Sequence, residues 1–399
     1  MGDSAIGYEP SPHVRLRSSG RPWRSISRRG GELLETLQPF SEDEYADRLR
    51  EVRRWMHLRS VDALVLSEAE SLAYLSGYET PGPSFACAVV LPDECTIVAR
   101  ELEASNARYC CTTPYLAYGE GSPPEAIVAT LLARCARVGF EADSSRLTVR
   151  QHELLLQATR WVTWEDCSQL VLGLRSIKSA QEIAYAQQAA IALATAVGAG
   201  VRAVRAGVTE LAIAGEIQLS LAMAGSEWPS YPVFVSAGHA GCIGHHAASR
   251  GVVADGDVVF MEVAACYNRY HVARMHTVYV GTPPEWYVDL EQRLTRALRA
   301  GQHASRPGAN ASAVDRAMRK ELDDCAIPHW MASRSGYAIG LGVSPDWKES
   351  NCLIDGNSVH VLSERMLLHL IPWVQIPHIG SMGFSRTIIV TPNGGMALI

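Results

Sequence analysis

The chain has 399 residues, 47% of them hydrophobic and 20% charged, with a formal net charge of −6, the balance of a globular protein long enough for two domains with substantial cores. A mildly acidic chain gives no electrostatic reason to expect nucleic acid or an anionic membrane as partner, and no stretch approaches ~18 uninterrupted apolar residues. The ten cysteines lack metal-type spacing, Cys110-Cys111 being a vicinal pair, and no signal-peptide pattern opens the chain, so free thiols in a reducing cytoplasm are expected.

Residues 1–38 are rich in Arg, Ser, Gly and Pro, with Arg21, Arg24, Arg28 and Arg29 close together. They read as a flexible arm or one that embraces a second protomer; no aromatic platform accompanies the charge, which argues against an RNA-binding tail. Order is expected from Ser41, where SEDE forms a capping box (Ser41 with Glu44) ahead of Tyr45, Leu49, Val52 and Met56 at helical spacing. DALVLSEAESLAYLSGY then predicts a buried strand and a short helix stopped by Gly77. FACAVVLP and CTIVA predict paired strands and RVGFEAD another, giving an α/β domain.

A second start follows at SIKSAQEIAYAQQAAIALATAVGAGV, where Ser179 and Glu182 form a capping box for a helix running to about Gly198. VTELAIAGEIQLSLAMAG predicts a helix closed by Gly225, and further helices are expected near 286–304 and 310–325. Strands are expected near 231–236, 258–265, 273–280, 359–362, 366–371 and 384–391. The fold class is therefore α+β, with an arm at 1–38, an α/β domain at 39–173 and a second domain at 174–399.

Chemistry concentrates in the second domain. Glu262, in VVFMEVAA, sits in an apolar strand where a carboxylate is costly to bury unless paired. It is either a structural carboxylate or a nucleophile or base beside a cationic substrate. His245 and His246, in GHHAAS, precede that strand, and His369 lies in the apolar LLHLIPW as a second acid/base or orienting group. Tyr270 and His271 follow the turn facing Glu262. Asp346 and Trp347, in SPDWKES, offer a carboxylate and an aromatic face for a cation, and Tyr231, in WPSYP, is expected near the mouth. Arg386 either binds a substrate carboxylate or neutralises Glu262.

Three stretches together, DALVLSEAESLAYLSGY, RSIKSAQEIAYAQQAA and DGDVVFMEVAACYNRYHVARMHTVYVG, resemble the creatinase/aminopeptidase P family (peptidase M24, or pita-bread). The resemblance covers about residues 41–399 and implies a creatinase-like N-terminal domain before a pita-bread catalytic domain. Metallopeptidases of that family bind two ions through two Asp, one His and two Glu. Carried onto this chain, those positions hold Glu262, Ala273, Tyr337, Ile371 and Ser385, and one carboxylate does not hold a catalytic metal. The wording of EWPSYPVF, MEVAACYNRYH, SGYAIGLGVSPDW and LLHLIPW is similar to the metal-independent, ectoine hydrolase-like subgroup.

That resemblance places His245 where creatinase-like members carry their active-site His and lets Tyr337 bind substrate in place of a metal ligand. It departs at Arg386, where an acidic residue is expected, and in the His-rich GHAGCIGHHAASR. It implies a hydrolase of a small cationic or zwitterionic C–N substrate, with no metal or other cofactor, working as a homodimer. A specialised-metabolite enzyme acting on an amide, thioether or conjugate, and an inactive binding member, stay open beside it.

Overall fold

The computed structural model describes residues 38–398 apart from 80, 81 and 83, so the expected arm lies outside the described residues save for Gln38. Ser41 opens the first helix by accepting a hydrogen bond from the Glu44 amide, and α1 (Glu42–Arg59) buries Tyr45, Leu49, Val52 and Met56. The carboxylate of Glu44 does not complete the expected box. It accepts hydrogen bonds from Arg48 and from the Ser179 hydroxyl of the next domain.

Strand β1 (Ala63–Leu66) and helix α2 (Ala69–Ser76) follow, and Gly77 ends the helix at φ 76°, a left-handed cap that glycine adopts without a Cβ penalty. Next come β2 (Cys87–Val90), β3 (Cys95–Arg100), α3 (Ala104–Cys110), β4 (Tyr115–Tyr118), α4 (Pro124–Leu131), β5 (Arg137–Phe140), α5 (Val149–Ala158), β6 (Thr163–Asp166) and α6 (Gln169–Ser176). The strands form one mixed sheet in the order β4-β3-β2-β1-β5-β6.

The capping box at Ser179–Glu182 is complete and launches α7 (Ala180–Ala203). This helix runs past the expected stop at Gly198. A Cβ on Gly200 would come within 2.8 Å of Ile217 and 3.0 Å of Met261, so this glycine serves close packing onto α8 (Glu210–Met223) and the sheet below. By length and composition α7 is apolar enough to cross a membrane, yet its buried face belongs to the largest core cluster, with Ile217 and Met261.

Three sheets complete the second domain. Strand β7 (Phe234–Ala237) pairs with β8 (Val258–Tyr267), which forms a hairpin with β9 (Tyr270–Tyr279). Asn268 and Arg269 turn that hairpin, both at positive φ (47° and 64°), the backbone that matches the twist of a two-residue loop. Pairing therefore starts at Tyr270 rather than near 273. Helices α9 (Glu285–Ala304) and α10 (Ala311–Lys320) precede β10 (Trp330–Met331), β11 (Arg334–Ile339), β12 (Lys348–Asp355), β13 (Leu367–Leu370), β14 (Trp373–Ile376), β15 (Gly380–Gly383), β16 (Arg386–Thr391) and β17 (Gly394–Ala397). These strands make sheets of order β12-β11-β13-β16-β17 and β10-β14-β15. The strand expected at 359–362 is absent: Val361 makes a single bridge to Asn310, and Val359 is 88% exposed. The second domain also enters the first domain's core, where Tyr270 and Leu341 join Tyr45 and Leu49.

Candidate active site

Alternation along β8 sends Met261 toward Gly200 of α7 and brings Phe260 and Glu262 to a cavity of about 260 Å³. Its other walls come from the loop at 241–246, from β11 and from β14. Glu262 is buried, yet its carboxylate makes no hydrogen bond or ion pair with any described residue. Burial pushes its pKa up to about 7, with the Arg334 guanidinium opposing the rise.

Arg334 lines the same cavity. It forms no ion pair with a described residue, and its buried Nε has no hydrogen-bond partner. The guanidinium lies 5.4 Å from the ring centroid of Tyr337, which also lines the cavity. A guanidinium without a carboxylate partner is a ready receptor for an anionic group of a ligand. Trp330 and Trp373 meet edge to face at 5.9 Å on an apolar part of the wall.

Behind this wall runs a buried polar chain. The Trp347 indole Nε1–H donates to the Tyr337 hydroxyl at 3.0 Å, His369 Nδ1 lies 3.0 Å from the same hydroxyl, and His369 Nε2 lies 2.6 Å from Ser385 Oγ. Burial, and then the charge of Arg334, push the His369 imidazole down to about 3. It is neutral across the working range and does not line the cavity, so of the two expected roles the geometry retains the orienting one. Burial, followed by the nearby Glu262, holds the Tyr337 phenol well above its ordinary range.

The adjacent histidines occupy different settings. His245, at φ 53°, lines the cavity from the exposed loop and stacks on Phe234 (5.5 Å) and Tyr231 (6.2 Å). His246 also reaches the cavity, but its Nε2 contacts Glu210 Oε2 at 3.2 Å. Burial opposes the charge of Glu210, yet hydrogen bonds from Ser249 and the Ala237 amide hold its carboxyl below the usual range. The ring of His246 thereby ties the loop carrying His245 to the start of α8.

Several expected residues lie elsewhere. Tyr270 is fully buried between the domains and donates to Glu182 at 2.7 Å. His271 is enclosed by Ser230 and the Arg269 carbonyl, with burial and then Arg269 lowering its pKa to about 3. Asp346 accepts hydrogen bonds from the Trp347 and Lys348 amides and shapes a turn. Arg386 is exposed: it follows the inward-facing Ser385 by one position, so the pleat turns it away, toward Arg274. Its expected role of neutralising Glu262 falls to Arg334. Tyr231 and Trp347 touch the cavity only through the residues they support, the former packing on the latter at 4.7 Å.

Arg334 escaped sequence reading for a reason of register. Strict alternation puts Arg334 on the opposite face from Tyr337, three positions on, but the β11–β12 ladder is irregular between Arg334 and Gly336, and such a bulge re-aims a side chain. The signal available was an arginine just ahead of SGYAIG.

Comparison with known proteins identifies the fold that carries this cavity. Residues 184–392 match metallopeptidase family M24, and residues 48–177 match the creatinase/prolidase N-terminal domain. The chain belongs to the M24 family. It is 26% identical over 389 residues to the ectoine hydrolase of Halomonas elongata, covering 91% of this chain and 96% of that protein. It is 24% identical over 352 residues to an Xaa-Pro dipeptidase of Pyrococcus furiosus, covering 88% and 97%. The prolidase structure from Pyrococcus horikoshii superposes with a TM-score of 0.79 at 22% identity, over 88% of this chain and 97% of that one. The chain thus joins an N-terminal creatinase domain to a pita-bread domain and is a hydrolase of the M24 family.

The M24 metal does not suit the residues present here. Of the five ligand positions only Glu262 offers a carboxylate, while Tyr337 and Ser385 are hydrogen-bonded to His369 instead. Among the described residues no three His, Cys, Asp or Glu side chains gather as a metal would require.

Proposed function

We propose that this M24 protein is a metal-independent hydrolase of a small zwitterionic C–N substrate, an ectoine-like cyclic amidine or a related amide. The carrying observation is a buried carboxylate, Glu262, facing a cavity with no partner of its own, beside a guanidinium, Arg334, that also has none. An amidinium in the cavity supplies the charge that Glu262 lacks, drawing its proton off and setting an electrophilic carbon against it. The carboxylate then attacks that carbon, one C–N bond breaks, and water displaces Glu262 while its proton goes to the leaving nitrogen; or Glu262 takes the proton of the attacking water and returns it to the leaving nitrogen as the C–N bond breaks. Arg334 receives the substrate's carboxylate, and His245, at the mouth, is placed to exchange protons with water. The similarity to an ectoine hydrolase supports this substrate class. A second reading, an enzyme of specialised metabolism acting on a larger conjugate, draws on the apolar wall of Trp330 and Trp373.

The test is turnover of ectoine and related cyclic amidines by wild type and Glu262→Gln, with elemental analysis of the same samples. The expected result is a ~10²–10⁴-fold loss in the variant and no stoichiometric divalent metal. Equal turnover by the two proteins, or hydrolysis of Xaa-Pro dipeptides restored by added manganese, overturns the reading. The proposal includes a cytoplasmic homodimer; sedimentation as a monomer at micromolar concentration rejects the dimer.

A further inference from the structure

The polar chain behind the cavity fixes where the protons of its members point. Indole N–H groups only donate, so the Tyr337 oxygen accepts from Trp347 Nε1. The Met275 amide donates to Ser385 Oγ, which leaves the Ser385 hydroxyl proton in need of an acceptor in a buried place. Among the described residues the acceptor within reach is His369 Nε2, at 2.6 Å. A neutral imidazole with a bare Nε2 carries its proton on Nδ1, and that proton goes to the Tyr337 oxygen, 3.0 Å away. The opposite tautomer offers Nδ1 to the Tyr337 proton but strands the Ser385 proton, which is enclosed away from the cavity. The first leaves unpaired only the proton of Tyr337, whose side chain lines that cavity.

Both lone pairs of the Tyr337 oxygen are then occupied. Its own proton has no acceptor among the described residues, and the side chain lines the cavity that Glu262 faces. From this we infer that Tyr337 is a catalytic hydrogen-bond donor to the substrate nitrogen, aimed into the cavity by Trp347, His369 and Ser385 acting as positioning residues. This rests on the hydrolase reading above and adds the group that meets the reacting nitrogen. An amidinium nitrogen has no free lone pair. When an oxygen, from Glu262 or from water deprotonated by it, bonds to the amidine carbon, the C=N π pair returns to nitrogen. Only then does Tyr337 gain an acceptor. A donor satisfied in the transition state and idle in the ground state accelerates the step without tightening substrate binding.

Two measurements on the full chain decide the matter. The ¹⁵N shifts of the His369 imidazole, recorded without substrate, should show the Nδ1–H tautomer in wild type and a shift toward Nε2–H in Ser385→Ala; Nε2–H in wild type overturns the inference, whatever the variants do. With the cyclic amidine or amide that wild type turns over, Tyr337→Phe should lower kcat by ~10²-fold with KM little changed. Adding Ser385→Ala to it should cost little more, because both act through one proton. An active Tyr337→Phe alongside an inactive Glu262→Gln overturns this inference and leaves the hydrolase reading standing. An active Glu262→Gln overturns the reading itself.

Discussion

Glu141 of the first domain and Glu262 of the second are both buried carboxylates in α/β surroundings, and burial raises both to about 7. Glu141 accepts hydrogen bonds from the Ser67 and Glu68 amides at 2.8 Å and from the Ser71 hydroxyl at 2.5 Å, fastening the start of α2. Glu262 has no such bonds and faces open volume. A shifted pKa is common to the two; what separates a site from a strut is the missing partners.

The sharpest way to break this comparison is to make the same change at both places. Glu262→Gln should abolish most turnover while leaving stability near wild type, whereas Glu141→Gln should spare chemistry and cost about 1–3 kcal/mol, because an amide cannot accept all three bonds. Urea unfolding read beside kinetics checks both. The pH dependence is one the two carboxyls share, both being raised to about 7. A carboxyl held near 7 when folded and near 4.5 when unfolded binds more protons in the folded state, so its contribution favours folding at low pH and is lost as pH rises from about 4.5 to about 7. Removing Glu262 should flatten that part of the stability curve; an unchanged curve contradicts the burial argument.

A smaller effect is expected at Arg334. Arg334→Met should raise KM by about 10–100-fold for substrates carrying a carboxylate and leave decarboxylated analogues almost unaffected. An equal loss for both kinds assigns Arg334 to tuning Glu262 rather than to recognition.

Much of this could be read from residue order. The caps at Ser41 and Ser179, the stops at Gly77 and Gly225 and the apolar strand around Glu262 are local signals, and local structure follows them. Placement of the polar residues was less legible because it depends on register. A single step into β16 separates the enclosed Ser385 just before it from the exposed Arg386, and an irregular ladder recruits Arg334 to a face that alternation denies it. His369 lay in the expected apolar strand, but its neutral, fully bonded state follows from Tyr337 and Ser385, 32 and 16 positions away. The expected stop at Gly198 does not end α7, and Gly200 beyond it is a point of close contact.

The junction between the domains has its own consequence. Glu44 reaches the cap of α7 through Ser179, while Glu182, inside that cap, takes the Tyr270 hydroxyl at 2.7 Å and lies 4.0 Å from the buried Arg48. Anyone wishing to study the catalytic half alone would cut near residue 174 and leave Glu182 and Tyr270 facing water without Arg48 and its aromatic neighbours. The place where one domain's name gives way to the other's is a seam sewn from both sides, and a poor place for scissors.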